Sequence, residues 1–123
     1  AALHAPLTPD GGSWLWLVRG LLQPGAERFE ALWRRHPPEL GGGRIFGREV
    51  TFHRYQQAFG ADYAFSGQMA RAAPLTQAAA PEVFFVKEAL EGCLQRSAPR
   101  LRGLRYEACL VNWYEGGGHW IGA

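Results

Sequence analysis

Lysine is all but missing from this chain of 123 residues. Lys87 stands alone among thirteen basic side chains, and the other twelve are arginine. Arginine's planar fork suits phosphate, carboxylate and base edges better than a lysine point charge does. GC-rich coding produces the same bias, so a net charge of +2 permits a nucleic-acid partner without establishing one. Cysteine is nearly as scarce. Cys93 and Cys109 are too few for a disulfide framework or a four-cysteine zinc site. They read as reduced core thiols, which suits an intracellular protein. Asp10 and Asp62 are the only aspartates, and His4, His36, His53 and His119 share no metal-site spacing. No apolar run approaches the roughly 18 residues of a membrane-spanning helix, and no secretory signal is visible. Nucleophile-elbow, phosphate-loop and dinucleotide fingerprints are absent as well. What remains is a binding module, or an enzyme whose catalytic groups lie outside these residues.

Of the residues present, 47% are hydrophobic and 20% charged, which describes a folded domain rather than a disordered tail. A chain of this length buries roughly two-thirds of its unfolded surface. Residues 1–13, with Pro6, Pro9, Gly11 and Gly12, read as an irregular leader, and one domain follows over 14–123. Trp14 to Val18 suits a strand. Pro24 opens a helix that Pro37-Pro38 ends. Arg44 to Phe52 suits strands, with Gly47 as a hairpin turn or a bulge, and Tyr55 to Phe59 continues extended. Tyr63-Ala64-Phe65 follows a turn, and a loop rich in alanine and proline leads to Pro81. The second helix is expected over about 82–96, with Val83, Val86, Leu90, Cys93 and Leu94 as its apolar face. Tyr106 to Tyr114 predicts a buried strand before the turn Glu115-Gly116-Gly117-Gly118. The pattern is mixed α+β.

Along that last strand Asn112 and Tyr114 fall on one face, with Val111 and Trp113 on the other. An amide and a phenol side by side need partners. Two readings satisfy them: a core tyrosine with a turn-capping asparagine, or one shared polar ligand such as a dicarboxylate. The segment from Leu110 through Asn112-Trp113-Tyr114 to Ile121-Gly122 resembles the AlkB family of iron- and 2-oxoglutarate-dependent dioxygenases. In that family an apolar strand ends in Asn-x-Tyr, and a glycine-containing turn leads to the iron-binding His-x-Asp. The likeness extends upstream through Phe46-Gly47-Arg48, Arg54, Gln57-Ala58-Phe59-Gly60 and Tyr63-Ala64-Phe65-Ser66-Gly67. It is closest to members that repair alkylated bases in duplex DNA, and it covers about residues 44–123. Residues 14–40 fit loosely.

The resemblance implies a partial double-stranded β-helix, or jelly-roll, with flanking helices. Its nucleotide-recognition segments would span about 44–67 and its first core strands about 104–123. It implies Fe(II) and 2-oxoglutarate as cofactors, with the iron ligands expected beyond Ala123. Asn112 and Tyr114 would hold the carboxylates of 2-oxoglutarate. Phe46 would enter the base stack, because an enzyme cannot reach a base's reactive atom inside a duplex. Tyr63 and Phe65 would flank the extruded base, while Arg54 and Ser66 line the same pocket. Arg44, Arg48 and Arg71 stand available to phosphate. The implied reaction is oxidative demethylation of alkylated bases in DNA, with the N-methyl group leaving as formaldehyde. The implied location is intracellular, and nuclear in a eukaryote. Departures from the family pattern are the absence from these residues of the iron histidines, the iron aspartate and the distal arginines that clamp 2-oxoglutarate, then Tyr55, where some duplex-repair members carry a basic residue, and His53, where a proline is common. Two other readings remain: a non-catalytic nucleic-acid-binding module with a truncated AlkB-like fold, and a family member directed at RNA or protein.

Overall fold

A computed structural model describes residues 2–65 and 68–121. The chain begins with a hairpin of β1 (Ala2–Pro6) and β2 (Trp14–Val18), in antiparallel register with His4 opposite Trp16. The expected irregular leader is therefore largely a strand and its turn. Aromatic packing supplies the reason: His4 lies edge-on to Trp16 at 5.5 Å, and Trp14 sits 5.2 Å from Trp16. Asp10 organises the connecting loop by accepting from the Thr8 hydroxyl at 2.6 Å and the Gly12 amide at 3.0 Å.

Helix α1 (Gly25–Trp33) follows Pro24 and stops before the paired prolines. A second hairpin, β3 (Gly42–Ile45) and β4 (Arg48–Thr51), turns at Phe46 and Gly47, so that Gly47 is the turn and not the bulge of its two sequence readings. Strand β5 (Tyr55–Phe59) is the central strand of a three-stranded sheet. Within the loop expected between Phe65 and Pro81 lie two short strands, β7 (Gln68–Ala70) and β8 (Ala72–Ala73). β7 pairs with β6 (Tyr63–Phe65), and β8 runs parallel to β5. Helix α2 (Pro81–Ser97) precedes a 3₁₀ turn at Pro99–Leu101, and β9 (Cys109–Trp113) pairs antiparallel with β5.

The core forms where one face of β5 and β9 meets the helices. Phe59, Ala80, Val83 and Trp113 are its buried members, with Leu32, Trp33, Tyr55, Cys109 and Val111 packed around them. The Trp113 indole N–H donates to the Leu32 carbonyl at 3.0 Å, so its polar edge is satisfied where its ring is buried. Arg35, just beyond α1, pairs with Glu82 in the first turn of α2 and donates to the Ala79 carbonyl at 2.9 Å. These contacts fix the two helices against the sheet.

Two expectations need correction. The strand predicted over 106–114 is confined to Cys109–Trp113, where Trp113 is buried and the other four residues are half-buried, and Tyr106 is exposed. The expected apolar face of α2 includes Leu90, which is exposed, while its neighbour Glu91 is buried. Glu91 is inside because its carboxylate is satisfied there, by Lys87 at 2.7 Å and the Tyr106 amide at 2.7 Å. The architecture is mixed α+β, with two α-helices and several small sheets, and the described strands close no barrel.

Candidate functional site

The pairing of β5 with β9 sorts their side chains. Tyr55, Gln57 and Phe59 stand opposite Trp113, Val111 and Cys109, and all of this set but Gln57 belong to the core. Gln56 stands opposite Asn112, so both belong to the other face. Arg54, immediately before β5, completes that face. Its Nε–H is shared between Asn112 Oδ1 at 3.2 Å and Gln56 Oε1 at 3.3 Å. Its Nη1 donates to the Ile121 carbonyl at 3.2 Å. The guanidinium carbon lies 4.5 Å from the centre of the Phe52 ring, a cation–π contact. Tyr114, one residue past the end of β9, is exposed and takes no part in these contacts.

From Phe52 an aromatic row leads outward. Phe65 lies 5.7 Å from Phe52, and Tyr63 stacks on Phe65 at 5.4 Å with planes 28° apart. The row stands because β6 and β7 form a hairpin whose base is anchored by Asp62. That carboxylate accepts from the Ala72 amide at 2.8 Å and from Arg71 at 2.9 Å. The Ala72 bond, followed by the arginine, holds the Asp62 carboxyl below the usual carboxylate range. Arg71 is thereby engaged with a carboxylate on the protein itself. Ser66 lies outside the described residues.

Phe46 stands apart from this row. It is fully exposed at the tip between β3 and β4, with exposed Arg44 and Arg48 on either side. Its φ of 50° and the 75° of Gly47 are those of a tight turn with two left-handed residues. Asparagine or aspartate normally takes the first of these positions, so phenylalanine there pays conformational strain while remaining wholly in water.

Two contributors escape sequence reading. Phe52 joins the aromatic row to Arg54, and it finds room because Gly43 lies beneath it: a Cβ on Gly43 would stand 2.6 Å from Phe52 Cζ. Gln56 shares the Arg54 N–H. Both follow the every-second-residue spacing Phe52, Arg54, Gln56, a signal present in the sequence. Beside them His53 and Trp120 stack at 4.0 Å, tied by a 3.0 Å bond from the Trp120 amide to the His53 carbonyl.

Chemically, the face offers a guanidinium and an amide to an anion, with an aromatic row for a planar ring. Among the described residues no three His, Cys, Asp or Glu side chains gather to hold a metal ion. No helix of the described residues is long and apolar enough to cross a membrane. Comparison with protein-family models and with curated proteins gives no match.

Proposed function

We propose that this chain is the nucleotide-recognition part of an AlkB-type Fe(II)/2-oxoglutarate-dependent dioxygenase that demethylates alkylated bases in DNA. The observation that carries the reading is Phe46, a fully exposed aromatic held with a left-handed backbone at a hairpin tip between two arginines. Exposed phenylalanine has no folding benefit, and an apolar wedge flanked by cations suits insertion into a base stack beside phosphates. Arg44 and Arg48 then position the duplex, and the extruded base stacks on Tyr63 and Phe65, a contact worth about 1–3 kcal/mol per base.

The Asn112 amide N–H₂, its oxygen held by Arg54, fits one carboxylate of 2-oxoglutarate, and rotation of Tyr114 would add a phenol. With iron supplied from beyond these residues, the cofactor pair provides the oxidising chemistry. The protein's part here is to bind, orient and exclude water. The jelly-roll architecture belongs to the same proposal, with β5 and β9 as its first core strands.

The test uses the full-length protein that carries this sequence, assayed in parallel for succinate formation and for demethylation of single- and double-stranded methylated DNA. Phe46→Ala is expected to spare 2-oxoglutarate turnover without DNA and to lower duplex repair more than single-strand repair. Equal loss on both substrates removes the insertion role. Oligonucleotide binding with no succinate formed under any condition identifies a non-catalytic binding module instead.

A further inference from the structure

Arg54 touches both halves of the proposed site at once. Its Nε–H bonds Asn112, the cofactor side, and its guanidinium covers Phe52, the inner end of the row Phe52–Phe65–Tyr63. We propose that Arg54 is a positioning residue through which base and 2-oxoglutarate binding are coupled, each ligand tightening the other. This inference rests on the functional reading above and adds a thermodynamic link to it.

The physical basis is that one side chain has too few geometries to serve two ligands independently. The Nε–H is divided between Asn112 and Gln56 at 3.2 and 3.3 Å, two long bonds in place of one good one. Asn112 Oδ1 is occupied by that donor, so its amide N–H₂ is the end left to meet an incoming carboxylate. A base stacked on Tyr63 and Phe65 restricts the row, and through ring contact it restricts Phe52 and the guanidinium resting on it. A fixed guanidinium holds the Asn112 amide in one orientation, so the ordering that 2-oxoglutarate would otherwise impose is already in place. Linkage makes the coupling measurable: each ligand must change the other's affinity by the same factor.

The experiment measures binding rather than turnover. 2-Oxoglutarate is titrated calorimetrically into the anaerobic, Fe(II)-loaded full-length protein, with and without a short single-stranded oligonucleotide bearing one N-methylated base. The reciprocal titration is run on the same samples. We expect each ligand to tighten the other by fivefold or more. Phe52→Leu removes the ring under the guanidinium, and Arg54→Lys keeps the charge but cannot both bond Asn112 through Nε and cover the ring. Each variant is expected to bring the factor to within twofold of one. A parent protein with independent sites, in which Asn112→Ala still weakens 2-oxoglutarate, overturns the coupling and leaves the functional reading intact. Coupling that survives both variants overturns the role of Arg54. Failure of 2-oxoglutarate to bind, or indifference of its affinity to Asn112→Ala, overturns the reading itself and this inference with it.

Discussion

A left-handed backbone costs most residues of order 1–3 kcal/mol, and among the described residues Phe46 is the single non-glycine that adopts it. Glycine meets the same demand without strain at Gly60 and Gly103, with φ of 87° and 91°, yet these two positions differ in their surroundings. A Cβ on Gly60 would stand 2.0 Å from the Glu107 carbonyl oxygen, a backbone atom that cannot swing away. A Cβ on Gly103 would meet nothing within 4 Å. Gly103→Ala is therefore expected to cost only the conformational term, about 1–2 kcal/mol, and Gly60→Ala about 3 kcal/mol or more. Urea titration of the two variants side by side checks this, and equal shifts would mean that the β5 turn yields more easily than its packing implies. The sequence marks both glycines as turn residues. It does not distinguish them, because the crowding at Gly60 comes from a carbonyl 47 positions downstream.

At the scale of elements, legibility followed locality. The β3–β4 hairpin is readable because Arg44 to Phe52 carries its own strand formers and its own turn, and both helices announce themselves through a leading proline. Strands β7 and β8 are alanine-rich, with little strand preference. They exist because distant polar groups hold them: Asp62 on the Ala72 amide, and the Gln57 side chain on the Arg71 carbonyl at 2.9 Å. The candidate site divides the same way, since Asn112, Arg54, Tyr63 and Phe65 were legible one by one while their connection through Phe52 depends on pairing between strands. Glu91 is the polar counterpart on α2. Burial raises its carboxyl pKa, but bonds from Lys87 and the Tyr106 amide outweigh that, with help from Arg105, and the net shift is downward. A folded value below the unfolded one means that Glu91 stabilises fully above the ordinary glutamate value of about 4.3. That contribution fades as pH falls through the lowered folded value. The Tyr106 amide proton is the reporter. In an NMR titration its shift should move with a midpoint below the ordinary value, and Glu91→Gln should abolish the inflection. A midpoint above it would reverse the balance assigned here.

The whole molecule exposes more surface than its mass calls for. A folded monomer of 13.6 kDa is expected to show about 6,600 Å², whereas this chain shows 8748 Å². The burial that length promises is thus incompletely met: among the described residues no large side chain is wholly removed from solvent, and the Trp16 indole nitrogen is buried without a hydrogen-bond partner. Composition reports how much apolar material a chain holds, not whether elements exist to cover both faces of each sheet. The clearest excess is on the first hairpin. Its inner side chains Trp14, Trp16 and Val18 line a groove of about 500 Å³ with Leu90 and Leu94 of α2, while Leu3, Leu15 and Leu17 remain 59%, 53% and 45% exposed. A two-stranded sheet apolar on both sides recruits hydrophobic probes and other copies of itself. The 123-residue chain is expected to bind the dye ANS at neutral pH and to scatter light increasingly with concentration. Leu15→Thr with Leu17→Thr keeps strand-favouring side chains while removing apolar area from the exposed side. The double variant should lose most of the dye signal and the concentration dependence, with an unchanged far-ultraviolet circular dichroism spectrum. Retention of the dye signal would locate the adhesive surface in the groove between β2 and α2, and a repeat titration with Leu90→Thr would then show the loss that the hairpin variant did not.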